Sequence, residues 1–422
     1  MKKIKVFCLA DSPLAPSGVG TQTRYMIEGL LKTGRFQFVC FGGAIKHHDY
    51  QPIKTEEYGD DWVIFPVDGY GSKEQVRALL HAQKPDIVWI MTDPRFWTWL
   101  WEIENEVRSV APLVYYHVWD NLPYPTFNRK WYLSNDAIVT ISKVTNDIVA
   151  NVAPEVDLYH IPHAVNDSVF EKIKDTKTIE HFKKENQVGI DSKGNKRFVF
   201  FWNNRNARRK QSGSLIFWFN DFLDKVGRDK ATLIMHTEPN DPNGQDLYAI
   251  KRRLNLDDDQ FKLSTQKISI EQLSVLYNSC DCTINISDAE GFGLSTLESL
   301  ATETPIIVNM TGGLQEQVTN GKDWFGIGLQ PASKAIIGSQ EVPWIYEDRV
   351  NGEEVSNAMV EMFSKSEKEL EELGKKGREH VMKNYSMENY ISSWDNLLTK
   401  IHEEQGSWES RNLKHWSINK VL

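Results

Sequence analysis

The sequence predicts an α/β protein built from two parallel-sheet domains in tandem. Short runs that are nearly all apolar alternate with amphipathic helical stretches over residues 3–167, and the same alternation restarts at 197. Strands apolar on both faces belong to parallel sheets covered by helices on each side. The alternation breaks once, at the charge-rich, weakly periodic residues 171–196, which read as a linker and surface helix. A chain of 422 residues suffices for two or three domains.

Taken in order, residues 3–10 form a buried first strand. Their apolar part is too short for a signal-peptide core and runs directly into a turn-rich loop, residues 11–20, with Gly18 and Gly20 at its end. Residues 21–33 follow as a helix with Tyr25, Met26, Leu30 and Leu31 on its apolar side. Strand, glycine loop and helix make a ligand-binding βα unit. Strands follow at 36–41, 62–67, 86–91, 113–117 and 136–142, with helices at 72–83, 96–110 and 142–152. Ligands sit beyond the C-terminal ends of such strands. Asp93 and His117 fall at such ends, and Asp120 follows in a turn-rich segment where it is suited either to a ligand contact or to a turn cap.

Composition bounds the function. A net charge of −9 argues against a generally basic nucleic-acid coat. No run approaches the ~20 apolar residues of a membrane span. Cys8, Cys40, Cys280 and Cys282 lie in or beside strand-like runs and read as buried thiols, which implies a reducing, cytoplasmic setting. The 14 tryptophans cluster partly at Trp97, Trp99, Trp101, Trp119 and Trp131. Packing is the favoured reading, and an aromatic acceptor platform is the alternative.

The second domain begins with a strand at 197–202 and a basic turn, Asn203-Asn-Arg205-Asn-Ala-Arg-Arg-Lys210-Gln, before an amphipathic helix at 212–226. Cations between a strand end and a helix start make an anion site. Strands at 231–236 and 261–266 and helices at 244–254 and 270–278 lead to the stretch on which the chain is organised, Ser287-Asp-Ala-Glu-Gly-Phe-Gly-Leu-Ser-Thr-Leu-Glu298. It joins a strand to a helix at 294–301 through two glycines. Such a turn lets backbone approach a ligand and aims free helix N–H groups at an anion. Glu290 lies at the mouth of the turn, and Glu298 points along the wall, where a carboxylate accepts from neighbouring hydroxyls. An anion at the helix start and hydroxyls at both carboxylates describe a sugar nucleotide. Residues 329–346 read as an irregular insertion, 355–363 and 366–384 as surface helices, and 386–401 as a last amphipathic helix. The tail, 403–422 with Trp408 and Trp416, has no assigned place.

Glu290 and Glu298, followed by Pro305-Ile-Ile-Val and by Gly312-Gly313-Leu-Gln-Glu316, resemble the retaining GT-B glycosyltransferases of the glycosyltransferase family 4 type. The resemblance is strongest over 197–318 and topological elsewhere. It implies two Rossmann-like domains facing a cleft. The acceptor domain would be 1–167, with 386–422 packing back on it, and the donor domain 168–385. It implies that Arg205 and Lys210 hold the donor diphosphate, with Asn204 and Gln211 where the family has glycine. His117 resembles the first-domain histidine that hydrogen-bonds the donor sugar. The resemblance implies that Gly18 and Gly20 face the donor phosphates and the acceptor, that Gly293, Leu294 and Ser295 face the phosphates, and that Glu298 holds the ribose. Glu303 stands where the family has glycine.

The expected reaction is transfer from a nucleotide-diphosphate sugar to an acceptor hydroxyl with retention, without cofactor or metal, on a glycan, protein or small-molecule acceptor. A DNA-base acceptor, an epimerase or hydrolase of the same fold, and a non-catalytic sugar-nucleotide-binding protein remain alternatives.

Overall fold

The computed structural model describes residues 2–412, so Trp416 and the rest of the tail beyond 412 lie outside the described residues. The chain forms two compact units: Met1–Ala164 with Met387–Leu422, and Val165–Ser386.

The first unit carries an eight-stranded sheet. Its strands are β1 (Ile4–Leu9), β2 (Phe36–Gly42), β3 (Ile53–Lys54), β4 (Trp62–Pro66), β5 (Ile87–Met91), β6 (Leu113–His117), β7 (Ala137–Thr140) and β8 (Leu158–His160). Their order is β3-β4-β2-β1-β5-β6-β7-β8. Every pairing is parallel except β3 with β4. β5 and β6 are buried along their whole length, as their unbroken apolar runs require.

The helix Gly18–Lys32 starts three residues earlier than its apolar periodicity suggests, because Ser17 caps it by accepting from the Gly20 N–H. Gly20 is required there: a Cβ would stand 2.7 Å from the Ser12 carbonyl oxygen. The helix expected over 96–110 is broken into Thr98–Trp101 and Glu104–Val110. Trp97, Trp101 and Trp119 are buried, in accord with packing.

The last helix, Met387–Gln405, belongs to this unit and buries Tyr390, Trp394, Leu397, Leu398 and Ile401. Trp394 meets Trp89 and Tyr116 edge-on at 5.8 and 4.9 Å. The tail as far as residue 412 also docks here. Ser407 Oγ donates to Asp86 (2.9 Å), the Trp408 indole donates to the Pro85 carbonyl (3.0 Å), and Arg411 pairs with Asp136 (2.9 Å).

The second unit carries an all-parallel sheet of β9 (Phe198–Asn203), β10 (Ala231–His236), β11 (Phe261–Ser264), β12 (Cys282–Asn285), β13 (Ile306–Asn309) and β14 (Gly326–Leu329), in the order β11-β10-β9-β12-β13-β14. Its core packs Phe200, Trp202, Phe219, Phe222 and Leu233 with Met359 and Met362. Strand order reverses between β9 and β12, and in such sheets the loops leaving the two central strands bound the ligand crevice. Those loops are the basic turn and the glycine turn.

The expected irregular insertion is instead an antiparallel hairpin, β15 (Ser333–Ile337) and β16 (Ile345–Arg349). Its alternation was hidden by Pro343, which stands just before the return strand. Among the described residues no helix is long and apolar enough to cross a membrane.

Candidate active site

The site is built at the ends of β9 and β12. After β12 the chain turns through Ser287–Gly293 and enters the helix Leu294–Ala301. Gly293 sits at the cap position in the left-handed region (φ 93°, ψ 66°), and no side chain caps the helix. The N–H groups of Leu294 and Ser295 therefore open the helix without an intrahelical acceptor. The Gly312-Gly313 turn is the floor of this loop. A Cβ on Gly313 would lie 2.7 Å from the Gly291 carbonyl oxygen, and the Gly313 N–H donates to the Glu290 carbonyl (3.1 Å). Gln317 clamps the same turn from below through the carbonyls of Phe292 (2.7 Å) and Gly293 (3.1 Å).

Lys210 and Glu290, 80 residues apart in the chain, form an ion pair. Their side chains are 9% and 12% exposed, so the pair is largely removed from water. Burial acts to raise the Glu290 carboxyl, but the charges of Lys210 and Arg209 outweigh it and hold the group below its ordinary value. Asn285 and Ser287 stand at 3.5 Å from Glu290 Oε2 as further donors.

Glu298 lies in the second turn of its helix and accepts from the Tyr277 hydroxyl at 2.9 Å. That hydroxyl in turn accepts from Asn203 Nδ2 at the end of β9 (3.0 Å). Burial lifts the Glu298 carboxyl to about 7 against the opposing Tyr277 bond.

Asp288 is the hub between the loops. Its N–H donates to the Arg209 carbonyl (2.8 Å), and its Oδ2 accepts from Gln211 Nε2 (2.6 Å) and faces Arg349 at 3.3 Å. Burial pushes this carboxyl up to about 6. The hairpin joins the same network. Glu347 is gripped by Arg208 and Arg349, and the Asp348 N–H donates to the Asp288 carbonyl (2.8 Å). Gln211 holds the left-handed conformation (φ 56°) at a position where the family has glycine, and its side-chain bond to Asp288 supports that backbone.

Sequence reasoning thus places Lys210, Glu290, Glu298, Gly293, Leu294 and Ser295 around one turn. Two expectations need correction. Arg205 shares the loop but turns away, because Asp241 takes its Nε and Nη2 at 2.6 and 3.2 Å; its side chain is 65% exposed. His117, in the first unit, is wholly buried rather than presented to a ligand. Its Nε2 meets the Tyr132 hydroxyl at 2.8 Å, and burial drives it down to about 3. The aromatic neighbours Tyr115 and Tyr132 close over it, at ring distances of 4.7 and 4.9 Å. Gly18 and Gly20 serve the helix start described above.

Tyr277, Asp288 and Glu347 went unread. Tyr277 lies in a helix between apolar residues and resembles core. Asp288 had only its place beside Glu290 to mark it.

Residues 243–380 match the profile of the family described as glycosyl transferases group 1. No curated protein matches the chain in sequence. Solved structures match almost its whole length. Sucrose-phosphate synthase from Thermosynechococcus elongatus has a TM-score of 0.75 at 15% identity, over 95% of this chain and 100% of that one. A glycosyltransferase from Rickettsia africae has 0.71 at 16%, over 96% and 100%. Anabaena HepE in complex with UDP and glucose has 0.68 at 14%, over 94% and 100%. At these identities the structural likeness establishes the GT-B fold, while the sequence match covers the stretch that holds Glu290, Gly293 and Glu298. Residues 243–380 thus carry the match to glycosyl transferases group 1, set in a chain of GT-B fold.

Proposed function

We propose that the protein transfers a sugar from a nucleotide-diphosphate sugar to an acceptor hydroxyl, with retention of anomeric configuration and without a metal ion. The observation that carries this reading is the Lys210–Glu290 pair set beside the uncapped helix start after Gly293. As the bond from the anomeric carbon to the diphosphate breaks, charge builds on the leaving oxygen. Lys210 and the N–H groups of Leu294 and Ser295 are fixed donors for that charge, a role in which preorganised groups act strongly. Glu290 orients sugar hydroxyls, and Glu298 accepts from the ribose. The leaving phosphate oxygen takes the acceptor proton on the same face of the sugar, which retains configuration. The HepE structure described with UDP and glucose supports a nucleotide sugar as donor. The acceptor is a glycan, protein or small molecule, and the setting is cytoplasmic. His117 has no part in this scheme, since its ring is enclosed in the first unit.

The test is a thermal-shift panel of nucleotide diphosphates and sugar nucleotides with EDTA present, on the unsubstituted protein and on Lys210→Ala. Stabilisation by one sugar nucleotide, lost in Lys210→Ala, is expected. No shift with any donor removes the reading.

A further inference from the structure

We propose that the hairpin β15–β16 is a positioning element of the transfer site, and that Glu347 is the residue through which it fixes Lys210 against Glu290. The proposal rests on the nucleotide-sugar reading above. Lys210 and Glu290 leave different strands, and a lysine head on a flexible stem is fixed only as well as the backbone beneath it.

Side chains of three segments close a ring around that backbone. Arg208 of the basic turn donates through both terminal nitrogens to Glu347 of the hairpin, at 2.9 Å from Nη1. Glu347 also accepts from Arg349 Nη2. Arg349 Nε faces Asp288 Oδ2 of the glycine turn at 3.3 Å. The same oxygen accepts from Gln211 Nε2 (2.6 Å), and the Gln211 N–H returns to the Arg208 carbonyl (3.2 Å). The Asp288 N–H crosses the ring to the Arg209 carbonyl (2.8 Å). Residues 208, 209 and 211 are therefore tied, and Lys210 stands between them. Glu290 lies two positions beyond Asp288.

The hairpin is itself anchored to the sheet. The Asp348 N–H donates to the Asp288 carbonyl (2.8 Å), and Asn309 Nδ2 at the end of β13 bonds the Asp348 and Ser287 carbonyls (2.8 and 2.9 Å). Thr311 Oγ1 donates to Asp348 Oδ2 (2.7 Å). A rigid support of this kind holds a binding group in place before the ligand arrives.

Glu347 acts through other residues. Its side chain is 2% exposed beneath two guanidinium groups, which hold its carboxyl below the ordinary value against burial. Its charge alone would repel a diphosphate, so removing that charge should tighten an anion, whereas opening the ring should loosen it. The sign of the effect separates positioning from electrostatics.

Titration calorimetry of UDP, GDP and ADP against UMP, GMP and AMP tests this on the unsubstituted protein, Glu347→Gln, Arg349→Lys and the double variant, with a melting curve for each. For the nucleotide that binds, Glu347→Gln should weaken the diphosphate about tenfold and the monophosphate much less. Arg349→Lys keeps its charge but gives up the fork that spans Glu347 and Asp288, and should show the same selective loss. The double variant should lose no more than Glu347→Gln alone, since a ring opened once has nothing left to hold. Unchanged or tighter diphosphate binding in Glu347→Gln overturns the proposal. Equal losses for mono- and diphosphate beside a lowered melting temperature, the mark of a merely structural carboxylate, overturn it too, as do additive losses in the double variant. Should Glu347→Gln fail to fold, the partly exposed Arg349 decides: a selective loss in Arg349→Lys supports the proposal and its absence overturns it. No diphosphate binding by the unsubstituted protein overturns the proposal together with the nucleotide-sugar reading.

Discussion

Two carboxylates on one turn take opposite protonation behaviour from their surroundings. Glu290 is held low by Lys210 and Arg209 despite burial, so its contribution to stability is present above the ordinary carboxylate range and lost as pH falls through its depressed value. Lys210→Met removes the larger of the two opposing charges and leaves burial in command. The sign then reverses, and stability should fall as pH rises from 4 to 8. Breaking one side of such a buried pair costs about 3–5 kcal/mol, and urea unfolding across that pH range measures both effects. Glu298 starts on the other side. Its carboxyl is raised to about 7, so its favourable contribution is full below about 4.5 and disappears as pH rises through 7. Glu298→Gln should therefore gain on the unsubstituted protein between pH 5 and 8, read as a converging and then crossing pair of melting temperatures. A gap independent of pH would contradict that account.

At the scale of elements, two of the three departures from the glycines of the family the chain resembles, Gln211 and Glu303, hold glycine's left-handed conformation, and Asn204 does not. Glu303 closes the helix Leu294–Ala301 region with φ 62°, where the Cβ crowds the following carbonyl. The turn was legible because Thr304-Pro305 follows it, but whether the chain would keep the left-handed geometry with a glutamate was not. The structure keeps it. Glu303→Gly should stabilise the protein by about 0.5–1 kcal/mol, the steric relief being partly offset by a looser unfolded chain. A denaturation midpoint that falls would show that the glutamate side chain contributes more than its backbone costs. Gln211 is a different case, since its amide also bonds Asp288; replacing it with glycine removes strain and support together. The parallel strands were the most readable elements, because burial on both faces writes itself as an unbroken apolar run. The two-residue β3 and the hairpin were the least readable: one is too short to show alternation, and the other has Lys334 and Tyr346 on one face and Ala335 and Glu347 on the other.

At the scale of the whole molecule, chain ends and distant segments are joined within each unit by buried charges. Arg411 and Arg108 both grip Asp136, and all three side chains are nearly inaccessible. Arg411→Ala leaves a buried carboxylate with one guanidinium in place of two, beside the Leu113 N–H, so a loss of about 2–4 kcal/mol is expected. Calorimetry should show that loss as a lower unfolding midpoint; an unshifted midpoint would mean that the tail contributes nothing. No reading of residues 403–412 could have anticipated this, because the partner of Arg411 lies 275 positions away.

By itself the sequence determined the alternation of elements, the two sheets, the basic turn and the glycine turn with its two carboxylates, while Lys210 was singled out within the basic turn only by the family resemblance. The elements and turns follow from local rules: strand burial, glycine's conformational freedom, and charge at a strand-to-helix junction. Only the tertiary structure decided which partner each of several similar side chains meets. Four cations in one turn are alike in sequence, and they become distinct through partners brought from 36 to 139 positions away: Asp241, Ala289, Glu290 and Glu347. The same holds for His117, whose place at a strand end suggested exposure, whereas the rings of Tyr115 and Tyr132 close over it. Pair energies between charges depend on distance and on exclusion of water, and both are properties of the folded chain.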